Sequence, residues 1–409
     1  MIEIRNVHTI DGKRIDHFIP SQEKVVIQAD GLLLFPAAID PHVHFRVPGG
    51  EEKEDWRTGA KAALHGGITT VFDMPNNHPP CTTAERFWEK KKKIEAQLKE
   101  AQIPLRYYLY FGVEKGHLGE IEKVQEEIIG LKVFMGSSTG DLLIDDEETL
   151  DAVFELAAKF DLLVAVHAEE EKLLQQRKKE LATNSDPSFH SRIRCPEAAE
   201  AAVKKAISLA RKYRTKLYLL HVSTEKELAL IRSAKKEGLQ VYAEATPHHL
   251  FLSESAYKHL GNKAVVNPPL RSEKDVQALW QAIDDDLIDT IGSDHAPHTL
   301  AEKKQPYGQA PSGMPGLETL LPLLFTAYHQ GKISLAKIAE LTSSRAQELF
   351  LLPPNDDLLL IDLAQKRRVE DASLHTKVRW SPFAGETLQG WPVYAVLQNR
   401  VYNLAGHKR

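Results

Sequence analysis

Cysteine is scarce in this 409-residue chain: only Cys81 and Cys195 occur, far apart. That excludes a disulfide framework and a cysteine-pair zinc knuckle. No apolar run approaches the ~18 residues of a membrane span. The start, Met1-Ile2-Glu3-Ile4-Arg5, lacks the basic-then-apolar order of a secretory leader. Neither charge sign dominates, with 52 basic residues against 57 acidic ones and a formal net charge of −5. Such a chain has no general electrostatic attraction to nucleic acid or anionic lipid. No repeat of solenoid length is present, and the only low-complexity tract is Lys90 to Lys93. It falls in a helix expected over 84–100 and reads as a solvated helix face. The expectation is a soluble, cytoplasmic protein with a small-molecule substrate and no nucleic-acid or membrane partner. What the chain does have is histidine, 18 in all, and several lie in apolar, strand-like segments.

From Ala37 onward, short apolar runs alternate with longer amphipathic stretches. Strands are expected at 39–45, 69–74, 106–112, 131–135, 162–167, 216–222, 240–245 and 288–294. Helices are expected between them, clearest at 145–160, where Leu150, Val153, Phe154 and Ala157 follow helical spacing and Asp145 can cap the start. Others are expected at 195–213, 225–237 and 273–285. Strands apolar on both faces point to a parallel sheet, and eight strand–helix units are the number that closes a (β/α)8 TIM-like barrel, an α/β fold. The barrel would occupy 37–350. The tails, 1–36 and 351–409, carry strand-like runs at 24–28, 358–362 and 393–397, and are expected to join into one small β domain.

His42-Val43-His44 closes the first strand, and alternate strand side chains share a face about 7 Å apart, close enough to chelate one ion. The motif alone is weak, but other strand ends match it. The fifth strand ends at His167, the sixth at His221 and the eighth at Asp294, while Lys132 interrupts the apolar fourth. Strand C-termini of a parallel barrel converge on one face, where active sites of this architecture lie. Four imidazoles and a carboxylate suit zinc rather than calcium or magnesium. The set is large for one ion and better used by two. Lys132 reads in either of two ways: its head pairs with Asp294, or CO2 has added to the amine, giving an anionic carbamate with two oxygens.

The residues Asp40-Pro41-His42-Val43-His44-Phe45-Arg46 and Asp73-Met74-Pro75-Asn76-Asn77 resemble the cyclic amidohydrolases of the amidohydrolase superfamily. The arginine after the histidine pair and the asparagine after Met-Pro are most similar to the dihydroorotases. So are Asn267-Pro268-Pro269-Leu270-Arg271, the run from Ser293 to Thr299, Pro315-Gly316-Leu317-Glu318-Thr319 and the tail motif Ser381-Pro382-Phe383-Ala384-Gly385. The resemblance implies a barrel with two zinc ions and a β domain from both termini. His42, His44 and Asp294 would hold the more buried ion, His167 and His221 the more exposed one. Carboxylated Lys132 would bridge them together with hydroxide. Arg46, Asn76 and His298 would bind the substrate's α-carboxylate, with Asn267 and the backbone near Gly313 contacting the ring. Residues 299–312 resemble a mobile loop beside the site. His248 and His249 read as packing or support, and His295 as an orienting residue.

The implied reaction is the reversible cyclisation of N-carbamoyl-L-aspartate to L-dihydroorotate, a step of pyrimidine biosynthesis, with Asp294 as general acid and base. A homodimer is the family expectation. Two other readings stay open: an allantoinase or hydantoinase/dihydropyrimidinase, which would have no use for Arg46, and a non-catalytic homologue serving as an assembly partner.

Overall fold

Eight short strands, Ala38–Val43, Ile68–Asp73, Arg106–Gly112, Gly130–Phe134, Leu163–His167, Lys216–Leu219, Val241–Ala245 and Thr290–Ile291, lie side by side in chain order in the computed structural model. Most of their residues are buried on both faces, as a sheet covered by crossover helices requires. All neighbouring pairs are parallel. The first and last strands meet through a Val43–His295 bridge, where the His44 N–H donates to the His295 carbonyl at 2.9 Å. That contact brings both ends of the sheet together at the rim that carries the site. The structure describes residues 1–138, 142–181 and 183–405.

The helices begin where local chemistry allows. Glu147–Lys159 is capped by Asp146, whose side chain accepts from the Thr149 N–H, so the cap lies one residue beyond the expected Asp145. Pro196–Tyr213 starts with proline at its first position, where no N–H is needed. Glu225–Lys236 opens on a Thr224/Glu227 capping box.

Both tails enter a separate seven-stranded sheet. Leu33–Pro36 pairs antiparallel with Leu358–Arg368, which joins the two ends of the chain. Its core is apolar, built on Ile2, Ile4, Ile27, Leu360 and Val396. Phe35 from this sheet meets Phe325 of the helix Leu320–His329 edge to face, with centroids 5.3 Å apart. The last residues of the expected β domain, 406–409, lie outside the described residues.

One expectation fails. The helix Ala84–Ala101 presents Lys91 to Lys93 outward, but Lys90 is fully buried. Its ammonium lies 2.6 Å from Asp73 at the end of the second barrel strand. A charge run reads as solvated because water is the usual partner of lysine, and here a buried carboxylate replaces it.

Candidate active site

His42 and His44 sit on one side of the first strand's end, as alternation dictates. His42 Nδ1 is 2.8 Å from Glu244 Oε1 and its Nε2 is 3.2 Å from Asp294 Oδ1. His44 Nδ1 is 2.7 Å from Asn76 Oδ1, and its Nε2 is 3.1 Å from the same Asp294 oxygen. Burial holds the His42 imidazolium down to about 3 and that of His44 well below its ordinary value, so both rings are neutral near pH 7. With each Nδ1 donating to its oxygen partner, both Nε2 lone pairs face a carboxylate. Three acceptors within 4.8 Å of one another repel unless a cation lies among them. This donor set fits a divalent metal of the zinc type.

The second pair is assembled from two strands. His167 Nδ1 lies 3.0 Å from His221 Nε2, and the His221 and His42 rings are 5.4 Å apart. His167 Nε2 is held 2.9 Å from Glu169, which is itself ion-paired with Arg194. His221 Nδ1 is buried and has no hydrogen-bond partner among the described residues. Burial lowers both imidazoliums. This pair is as buried as the first, so side-chain exposure does not separate the two halves.

Lys132 lies buried with its Nζ 4.5 Å from the centre of the Phe134 ring. Among the described residues no carboxylate comes within ion-pair distance of it, so the alternative of a Lys132–Asp294 pair is not seen. Burial pulls the ammonium down to about 7, leaving a substantial fraction of neutral, nucleophilic amine.

The ends of the strands also turn sharply. Arg46, His221 and Asp294 have φ of 61°, 39° and 44°, left-handed values that side-chain-bearing residues adopt at a cost of ~1–3 kcal/mol. Strain gathers here because the chain must leave the sheet while aiming these side chains at the mouth.

The sequence-predicted residues His42, His44, Lys132, His167, His221 and Asp294 line one cleft. Arg46, Asn76, Asn267 and Gly313 line it too. Arg46 is buried, donating from Nε to the Pro297 carbonyl at 3.3 Å. His298 stands one step back, its Nε2 3.2 Å from Arg46 Nη2 and 3.0 Å from the Ser312 carbonyl. Gly313 has both backbone groups engaged, with Val265 and Lys303. A Cβ there would come 2.5 Å from the Ala296 carbonyl, so this glycine supplies close approach rather than a free hydrogen bond. Loop 299–312 is tied down by the buried Lys303, which donates to the Val265, Pro311 and Gly313 carbonyls.

Several supporting residues had not been singled out. Glu244 accepts from Tyr218 OH and the His221 N–H as well as facing His42. A Cβ on Gly292 would lie 2.4 Å from its Oε2, so the carboxylate needs glycine beside it. The signal was available: a glutamate inside the apolar strand Val241–Ala245 is as anomalous as Lys132. Glu169 lies two residues after His167, and His190 holds Asn267 Oδ1 at 2.8 Å. Of the residues read from the sequence as supports, His249 holds the wall through the Pro268 carbonyl, and His295 faces Glu54 at 3.1 Å.

A sequence profile of the amidohydrolase family matches residues 33–353. The chain belongs to the amidohydrolase family. A relative named dihydroorotase from Methanosarcina mazei is 38% identical over 390 residues, covering 90% of this chain and 83% of its own length. One of the same name from Halobacterium salinarum is 36% identical, covering 92% and 88%. Among solved structures, the L-hydantoinase (dihydropyrimidinase) from Arthrobacter aurescens matches this amidohydrolase with a TM-score of 0.90 at 27% identity, covering 98% of this chain and 95% of that one.

Proposed function

We propose that this amidohydrolase is a dihydroorotase, interconverting L-dihydroorotate and N-carbamoyl-L-aspartate through two zinc ions and a carboxylated Lys132. The observation that carries the substrate assignment is Arg46. Its guanidinium is buried at the cleft, and among the described residues its side-chain partners are the Pro297 carbonyl and His298, with no carboxylate. Asp294, Asp73, Glu302 and Glu54 act on it without touching it, so its donors meet no carboxylate directly in this buried position, and a substrate carboxylate gripped through two parallel hydrogen bonds would supply one. His298 would hold the guanidinium in place, and Asn76 would orient His44 from the same wall.

His42, His44 and Asp294 would hold one ion, His167 and His221 the other, with the Lys132 carbamate shared between them. Two divalent ions supply Lewis acidity for activating water and polarising the ring carbonyl. In hydrolysis, water oxygen bonds to that carbonyl carbon and the ring C–N bond breaks. Asp294 takes the water's proton and returns it to the departing nitrogen. In ring closure Asp294 removes that nitrogen's proton as the C–N bond forms, and water leaves. The proposed catalytic unit is 37–350, with 1–36 and 351–409 forming the composite β domain.

The hydantoinase-like structures keep a second reading in play, since a cyclic amide without a carboxylate needs the same metal site. Assay of the zinc- and bicarbonate-supplied protein separates them. Dihydroorotate should exceed hydantoin and dihydrouracil in kcat/KM by at least about 100-fold. The reverse order would overturn the proposal.

A further inference from the structure

We infer that Lys90, outside the cleft, is a positioning residue that sets the geometry of the metal-binding strand end. This rests on the metal reading given above. An ammonium has three N–H donors, and three oxygens surround that of Lys90, two as hydrogen-bond acceptors and one as an ion-pair partner. Asp73 Oδ2 lies at 2.6 Å, the Met74 carbonyl at 2.8 Å and Asn77 Oδ1 at 2.8 Å.

Each partner leads to the site by one further bond. Asp73 Oδ1 accepts the Phe45 N–H at 2.7 Å, and Phe45 lies between His44 and Arg46. Asn77 Nδ2 donates to the Val47 carbonyl at 2.9 Å, just beyond Arg46. Met74 and Asn77 bracket Asn76, whose side chain holds His44 Nδ1. One buried cation therefore fixes the strand end from three directions: beneath the histidine pair, beyond Arg46, and through the loop that aims His44. Its place on the helix Ala84–Ala101, which is anchored by Phe87, Ile94 and Leu98 in the core, makes it a rigid support.

A purely structural role, neutralising Asp73, makes a different prediction from positioning, and the variants K90M and K90M/D73N separate them. Asn at position 73 keeps the acceptor for Phe45 N–H while removing the unpaired charge. Zinc affinity is measured by chelator competition and folding by the thermal midpoint, neither of which needs substrate. K90M should lower both the midpoint and zinc affinity. The double variant should recover most of the midpoint yet bind zinc at least about tenfold more weakly than wild type. If K90M does not fold, the double variant carries the same test. Wild-type zinc affinity in the double variant would overturn the positioning role alone. A wild-type protein that holds no zinc would overturn the metal reading and this inference with it.

Discussion

His42 and His44 come from a single strand and offer Nε2 to Asp294, each with its Nδ1 held by an oxygen of Glu244 or Asn76. His167 and His221 come from two strands, offer opposite nitrogens to each other, and face no carboxylate of comparable standing: Glu169 sits behind His167, on its far nitrogen. The first pair thus arrives with its counter-charge built in, placed by strand alternation and barrel closure. The second pair presents two neutral donors and, among the described residues, lacks the anion that a second cation would need. On the reading proposed above, Lys132 would supply it: it is buried in the same cleft, has no ion-pair partner among the described residues, and burial pulls its ammonium down to about 7.

The difference can be broken or sharpened by substitution. The largest effect is expected from D294N, which strips the first pair of its charge. The kcat should fall about 10³-fold or more, and zinc content should drop from two ions per chain toward one. Retention of two ions with near-normal turnover would erase the asymmetry. Next come the two supporting carboxylates. E244Q touches His42 and the His221 backbone, so it should weaken both ions, whereas E169Q should weaken only the one at His167. Losses of about 10–100-fold in affinity are expected, and equal titration curves for the two variants would contradict the separate supports. R46K should raise KM for dihydroorotate about tenfold with a smaller change in kcat, measured by steady-state kinetics, while leaving zinc content intact.

The smallest effect is on acid stability. The His42 imidazolium is held down to about 3 and those of His190 and His249 to about 4, in each case by burial. Below pH ~6.5 the unfolded chain binds protons at these rings that the folded one refuses. Metal-free protein should therefore gain thermal midpoint as pH rises from about 4 to 6.5. Asp40 and Glu244, pushed up by burial to about 7 and about 8, work in the opposite direction, but the lowered histidines outnumber them. A midpoint that falls across this window would show that the carboxyls dominate.

Much of this architecture was legible because period and position carry it. Buried strands on both faces read as apolar runs, and the polar residues ending them, His42, His44, His167, His221 and Asp294, announced the mouth. Glu244 and Lys90 were not singled out for the same reason: their partners lie far away in sequence. Lys90 is one of four lysines in a row, and nothing local marks the one that faces Asp73 rather than water. Glu244 needed the folded barrel to meet His42, 202 residues earlier. The hydrogen bonds that His298 and Gly313 already make were not legible for a related cause, since a neighbour's bonds decide which groups remain to meet substrate.

The most direct test is an anomalous-scattering map at the zinc edge from crystals grown with zinc and bicarbonate. Two peaks are predicted, one among His42, His44 and Asp294 and one beside His167 and His221, with density for a carboxylate on Lys132 between them. A single peak, or scatterers away from these side chains with Lys132 unmodified, would contradict the paired-ion site.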